Sequence, residues 1–212
     1  PGDLPLVVTA DVDGRQQAFE RTVAVTLGRY PDLAGAADVA AVADVAVTPA
    51  AAPDPQQVAG ERRALAAALA GIGPQRRWTL PLLAPVPGEI AVPYGTRRDA
   101  AAGPHRLADI LAAAGEPVRA AAAGTVTLAA EHRFSGRTVA IDHGLGLCTL
   151  YFHLSETRVT QGQTVERGQV IGLAGASGSA AGPLLGFGAA VLGRLVDPEP
   201  LLGGPADTLT GE

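Results

Sequence analysis

Residues 137–175 read RTVAIDHGLGLCTLYFHLSETRVTQGQTVERGQVIGLAG, and this stretch decides the fold. Its apolar residues fall in short runs rich in Val, Leu, Ile and aromatics, cut at close intervals by Gly-bearing polar steps. Runs of this kind are strands joined by tight turns. Val159, Gly162, Val165, Gly168, Ile171 and Gly172 form a regular V-x-x-G-x-x-V-x-x-G-x-x-I-G series. It predicts two short strands turning at Gly, with Val and Ile facing inward. Working outward, GEPVRAAAAGTVTLA (115–129) and GFGAAVL (186–192) add strands on either side. The expectation is a mainly antiparallel β domain at about 80–204, built as two packed sheets or one strongly bent sheet.

The rest of the chain is organised differently. Residues 4–27 predict two strands around Asp13-Gly14, a hairpin signal between alternating apolar runs. Two strands alone are seldom stable, so residues 1–30 read as a β-hairpin segment that either packs on something else or ends a sandwich domain whose front is missing. Residues 31–79 read as a linker rich in Ala, Pro and Asp, with a helix at about 55–70. Asp54-Pro55 supplies the helix start, Val58, Leu65 and Leu69 one face, and Gly71 the stop. Residues 205–212 form a tail.

Composition narrows the function. Of 212 residues, 47% are hydrophobic and 17% charged, so the chain buries a real core rather than staying disordered. Aromatics are only 4%, which leaves the core to Ala, Val and Leu. Sixteen basic against 21 acidic residues, net −5, argue against a nucleic-acid partner. Every basic residue is Arg, which excludes Walker-type phosphate loops, Schiff-base chemistry and lysine-borne cofactors such as biotin or lipoate. There is no Met, so a chain beginning at Pro1 reads as a processed product or a fragment. No apolar run reaches the roughly 18 residues of a membrane span. The single Cys148 alternates with inward residues and reads as core.

Four histidines carry the candidate chemistry. His105 and Asp109 form an H-x-x-x-D pair, which binds zinc when the two side chains converge and otherwise is a surface His beside a turn Asp. His153 ends an apolar strand; it is either a general acid/base or a half-buried ring bonded to backbone. His143 reads as a side chain bracing a turn, and His132 as a solvated loop residue. Ser155, Ser177 and Ser179 lack a nucleophile-elbow context. Arg97, Arg98 and Arg106 are read as solvating a loop rather than binding an anion.

The order of these pieces resembles the lysostaphin-like (LytM-type) zinc endopeptidases of bacterial peptidoglycan. VPYGTRR, HRLADI, GEPVRAAAAGTV, RTVAIDHGLGLCTLYFHLS, the V-x-x-G series, GASG, GP and VDPEPLL follow one another as the family's motifs do. The resemblance implies metal ligands at His105 and Asp109 and a catalytic His153. The family's last motif, H-x-H before an aromatic, falls on GPLLGF, so Leu184 and Gly186 stand where two histidines are required and Phe187 takes the aromatic place. That leaves a remnant site: His105 and Asp109 with no third ligand at Gly186, and His153 with no partner at Leu184. Tyr151, Leu184, Gly186 and Phe187 are expected to line the groove, with Leu184 able to plug it. The resemblance implies a bacterial, extracytoplasmic module, with zinc absent or weakly held. Peptidoglycan or a cell-wall hydrolase is the expected partner. Two alternatives stay open: an active zinc peptidase whose third ligand comes from His132, His143 or Glu131, and a purely structural assembly domain.

Overall fold

The computed structural model describes residues 2–12, 15–25, 55–97 and 104–203. The Asp13-Gly14 turn, the stretch 31–54 with its Asp54 cap, Arg98 and the tail lie outside the described residues. Strands β1 (Gly2–Val12) and β2 (Arg15–Val25) pair antiparallel along their full length, from Gly2 opposite Val25 to Val12 opposite Arg15. They form a two-stranded sheet within a separate unit, residues 1–30.

Among the described residues, the second unit holds helix α1 (Pro55–Ala70) and ten strands. In chain order these are β3 (Ile90–Val92), β4 (Ala108–Leu111), β5 (Pro117–Arg119), β6 (Gly124–His132) and β7 (Gly136–Asp142). Then come β8 (Leu147–Thr157), β9 (Thr164–Val165), β10 (Val170–Ala174), β11 (Leu184–Val191) and β12 (Arg194–Val196). They make one antiparallel sheet with the order β3-β4-β11-β8-β7-β6-β9. Strand β10 joins β5 and β8, and β12 joins β11. A short 3-10 turn, Glu199–Leu201, follows.

Alternation along the strands sorts side chains to two faces. One face carries Ile110, Val139, Ile141, Tyr151, Leu154, Leu185 and Phe187, closed over by Leu82, Val86, Val118 and Ile171. Val159, Val165 and Ile171 of the V-x-x-G series are all buried, as the series predicts. The opposite face carries Ala140, Cys148, Leu150, Phe152 and Ala190. Helix α1 covers it with Ala68 and Leu69, and Leu65 packs at the edge. Cys148 is buried there, and burial beside Asp142 pushes its thiol pKa up to about 11. It is inert core.

The chain after α1 is tied to the β7–β8 turn. Both Asp142 carboxylate oxygens are used, one accepting from the Gly73 amide (3.0 Å) and the other from the Gly144 amide (2.8 Å). The Trp78 indole N–H donates to the Gly144 carbonyl at 3.1 Å. A Cβ on Gly144 would lie 1.7 Å from the Gln75 carbonyl oxygen, so this crossing requires glycine.

Candidate functional site

Three strands converge on the expected centre. Asp109 on β4 faces away from the main core, because its neighbours Ala108 and Ile110 are buried on the other side. Gly186 on β11 sits directly opposite Asp109 on one side and opposite Phe152 of β8 on the other. Paired residues in an antiparallel ladder point to the same face. The absent side chain of Gly186 would therefore project beside the Asp109 carboxylate. A Cβ built there meets His153 Cδ2 at 3.2 Å and Leu107 Cδ1 at 3.3 Å. Gly186, Asp109 and His153 thus surround one point.

His153 reaches that point through a bulge. Tyr151 pairs with Val139 and Leu154 with Arg137, so two residues of β8, Phe152 and His153, oppose the single Thr138 of β7. His153 absorbs the extra residue with φ 65°, a left-handed conformation that His tolerates better than most side chains. Such a conformation costs about 1–3 kcal/mol and persists only where its surroundings hold it. Here its amide donates to the Ser135 carbonyl (3.0 Å) and its Nδ1 donates to the Ser177 carbonyl (2.8 Å). The Nδ1 bond assigns the proton to that nitrogen and leaves Nε2 as the basic one. Burial lowers the His153 pKa, with the Ser177 bond and the Asp109 charge opposing the shift. The ring is neutral at pH 7.

His105 Nε2 lies 3.1 Å from Asp109 Oδ1. Two donors on a tetrahedral zinc, each about 2.0–2.1 Å from the metal, stand roughly 3.3 Å apart, so the pair has the spacing of two corners of such a site. The third corner is missing. Gly186 has no donor, and no third His, Cys, Asp or Glu joins the pair among the described residues. The donor set does not fit a resident zinc ion, which takes at least three protein ligands.

A cavity of 360 Å³ lies alongside, lined by His105, His153, Leu107, Phe134, Phe152 and Leu195, and walled by Val58, Glu61 and Leu65 of α1. Its lining is mainly apolar. Glu61 fixes the helix to the opposite rim. Its carboxylate accepts from the Phe134 amide (2.9 Å), the Ser135 amide (3.3 Å) and the Ser135 hydroxyl (3.1 Å). That rim is the loop whose Ser135 carbonyl holds the His153 amide. Glu61 was not singled out from sequence; the available signal is an acid set within the apolar face of Val58 and Leu65.

Tyr151 and Phe187, expected at the groove, turn the other way: both are fully buried in the main core, ring centroids 5.5 Å apart. Leu184 does not plug the cavity; it is half-buried opposite Leu111, its amide bonded to the Gly175 carbonyl at 3.0 Å. His132 is not a loop residue but the end of β6, with Nε2 buried and no hydrogen-bond partner among the described residues. His143 braces its turn: Nδ1 donates to the Ala123 carbonyl (2.8 Å) and Nε2 meets the Thr149 hydroxyl (2.7 Å), which bonds the Tyr151 hydroxyl (2.9 Å). Glu131 pairs with Arg137 at 3.3 Å. Ser177 accepts from the Arg137 amide and donates to the Leu154 carbonyl, a structural role. Arg97 and Arg106 are exposed.

Residues 103–198 match the model of peptidase family M23. They form an M23 domain. Curated relatives include the peptidoglycan DD-endopeptidase ShyA of Vibrio cholerae, 40% identical over 94 residues, 44% of this chain and 22% of that protein. The murein hydrolase activator EnvC of Escherichia coli is 38% identical over 92 residues, 43% of this chain and 22% of its own. The chain thus spans about a fifth of the length of these relatives. Among solved structures, a peptidase M23 from Pseudomonas aeruginosa superposes with TM-score 0.70 at 26% identity, covering 96% of this chain and 74% of that one. The antiparallel sheet covered by α1 is the M23 fold. The M23 family as represented here includes both enzymes of peptidoglycan and an activator of its hydrolases.

Proposed function

We propose that this M23 domain is a non-hydrolytic binding module of the bacterial envelope, working outside the cytoplasm. Its cleft holds a peptide, either a peptidoglycan stem or a segment of a cell-wall hydrolase. The observation that carries the reading is Gly186, which faces Asp109 and His153 with no side chain. Zinc-dependent hydrolysis needs a metal fixed by three ligands with one position left for water. Here two ligands stand at correct spacing and the third position is bare carbon-bound hydrogen. His153 alone offers a basic nitrogen but no metal to work with.

What survives is a binding surface. The cavity keeps an apolar lining of Leu107, Phe134, Phe152 and Leu195, with His105 and His153 as polar points. Apolar pockets with a few placed polar groups suit a peptide side chain better than a sugar. The relation to an activator of murein hydrolases as well as to endopeptidases supports the same reading.

The test is a calorimetric zinc titration of metal-free protein at neutral pH, with His105→Ala as control, followed by incubation with purified peptidoglycan. The expected result is weak or absent zinc binding and no released peptides, with the protein retained on peptidoglycan or on a cell-wall hydrolase. Tight one-to-one zinc binding that His105→Ala abolishes, accompanied by peptide release, refutes the proposal.

A further inference from the structure

Three turns meet at one end of the sheet. The Leu145 amide donates to the Gly73 carbonyl at 2.7 Å, and the Leu192 amide donates to the Gly146 carbonyl at 2.8 Å. Residues 71–75, the β7–β8 turn and the β11–β12 turn are thereby laced into one surface. Its side chains are unusual for turn tips. Leu192 is 65% exposed, Ile72 59% and Leu145 52%.

Both leucines also sit in a left-handed backbone, φ 52° at Leu145 and 50° at Leu192. Leu192-Gly193 closes the hairpin between the register partners Val191 and Arg194, and both turn residues have positive φ. That is the two-residue turn for which Asn-Gly is the favoured sequence. Leucine there strains the backbone and gains no burial in return. Neither folding nor solubility accounts for two such residues side by side, and strain that the fold does not need points to function.

The charge around the tips selects the partner. Segments 71–78, 144–147 and 191–194 contain three arginines, Arg76, Arg77 and Arg194, all exposed, and no acidic residue. Asp142 lies beneath them with both oxygens already bonded to the Gly73 and Gly144 amides. Trp78 is half-buried at the same edge, its indole N–H on the Gly144 carbonyl and Arg76 5.7 Å above its ring. Tryptophan with an apolar body and a bonded polar edge is suited to the water–lipid boundary. Protruding apolar tips ringed by arginine match a fluid anionic surface, which needs no shape complement. Four side chains alone fall short of the roughly 800 Å² per partner of a stable protein interface.

We propose that Ile72, Trp78, Leu145 and Leu192, with Arg76, Arg77 and Arg194 around them, form a docking surface for an anionic phospholipid bilayer. The leucines enter the boundary between headgroups and acyl chains, and the arginines meet the phosphates. No helix among the described residues is long and apolar enough to cross a membrane. This docking is independent of the reading of the cleft.

The experiment is co-sedimentation of the full chain with vesicles of phosphatidylglycerol and phosphatidylcholine in equal parts, against phosphatidylcholine alone, at low and high salt. Trp78 is the only tryptophan, so its emission reports docking directly. The expected result is binding to the anionic vesicles with a blue shift, weakened by salt. Leu145→Asn with Leu192→Asn should lower it at least tenfold, and each of Arg76→Gln and Arg194→Gln by about fivefold. Asparagine accepts the left-handed backbone, so the double variant should melt no lower than the parent, which separates lost docking from lost fold. No binding to anionic vesicles overturns the proposal. So does equal binding to phosphatidylcholine alone, or full binding by the leucine variant.

Discussion

If Gly186 marks the place of a missing zinc ligand, then supplying the ligand should restore the metal at a calculable cost. Consider Gly186→His combined with Leu184→His. Gly186 is not among the positive-φ glycines, so a side chain meets no backbone penalty. It meets crowding instead: its Cβ would lie 3.2 Å from His153 Cδ2, 3.2 Å from Phe152 Cβ and 3.3 Å from Leu107 Cδ1. Each neighbour must yield by a few tenths of an ångström. Overpacking of this kind costs about 1–3 kcal/mol. For a chain of this size that lowers Tm by roughly 2–4 °C per kcal/mol. Zinc works in the other direction. An imidazole at 186 beside Asp109 and His105 supplies the third protein ligand and leaves the fourth tetrahedral position to water. At a free zinc concentration 1,000 times Kd the folded state gains about 4.1 kcal/mol, which exceeds the cost. Thermal melts should therefore show a variant less stable than the parent without metal and more stable with it. The parent should not respond to zinc, and His105→Ala in the variant should erase the response. A variant whose Tm ignores zinc would refute the register that places Gly186 opposite Asp109.

Glu61→Ala leaves the Phe134 amide and the Ser135 amide and hydroxyl without their acceptor, which costs about 1–3 kcal/mol; hydrogen exchange should speed up at residues 134 and 135, and unchanged exchange there contradicts the clamp. His143 has its pKa lowered by burial, against an unfolded value near 6.5. Above that value neither state holds the proton; as pH falls through it the unfolded chain is protonated and the folded one is not, so stability drops by up to about 1.4 kcal/mol per pH unit. His153 adds to the drop in the same direction. Melts between about pH 8 and 5 should show the decline, flattened in His143→Gln; a Tm that is level or rises towards acid contradicts neutral buried histidines.

Strands are legible in this sequence because alternation and glycine turns are local. The V-x-x-G series specified its own burial, and the apolar face of α1 was visible as Val58, Leu65 and Leu69. The faces near the site were not legible, and the reason is the bulge. Strict alternation puts Tyr151 and His153 on one face, in keeping with the groove position that the resemblance implies for Tyr151. The extra residue at Phe152–His153 resets the alternation, so His153 faces the cleft and Tyr151 the core. Nothing in LYFHLS encodes where a strand takes an extra residue; the partner strand and the Ser135 and Ser177 carbonyls decide it. Phe187 follows from the unbroken pleat, since neighbours on a strand cannot share a face and Gly186 already points to the cleft. His132 was misplaced because the turn starts one residue later than the charged run AEHR implies. Glu61 escaped notice because its three partners lie more than seventy positions away.

The position of α1 has a consequence for how this protein can be cut. The family match opens at residue 103, yet the sheet beneath it has one face closed by Ala68 and Leu69, and its β7–β8 turn is held by amides and an indole from residues 73–78. A fragment trimmed to the matched residues bares Leu150 and Phe152 to water and strips Asp142 of an amide partner. The smallest piece that melts as a unit therefore reaches back to Pro55. Anyone expressing the domain from its matched borders alone is set to recover a sticky, partly opened sheet in place of the folded protein.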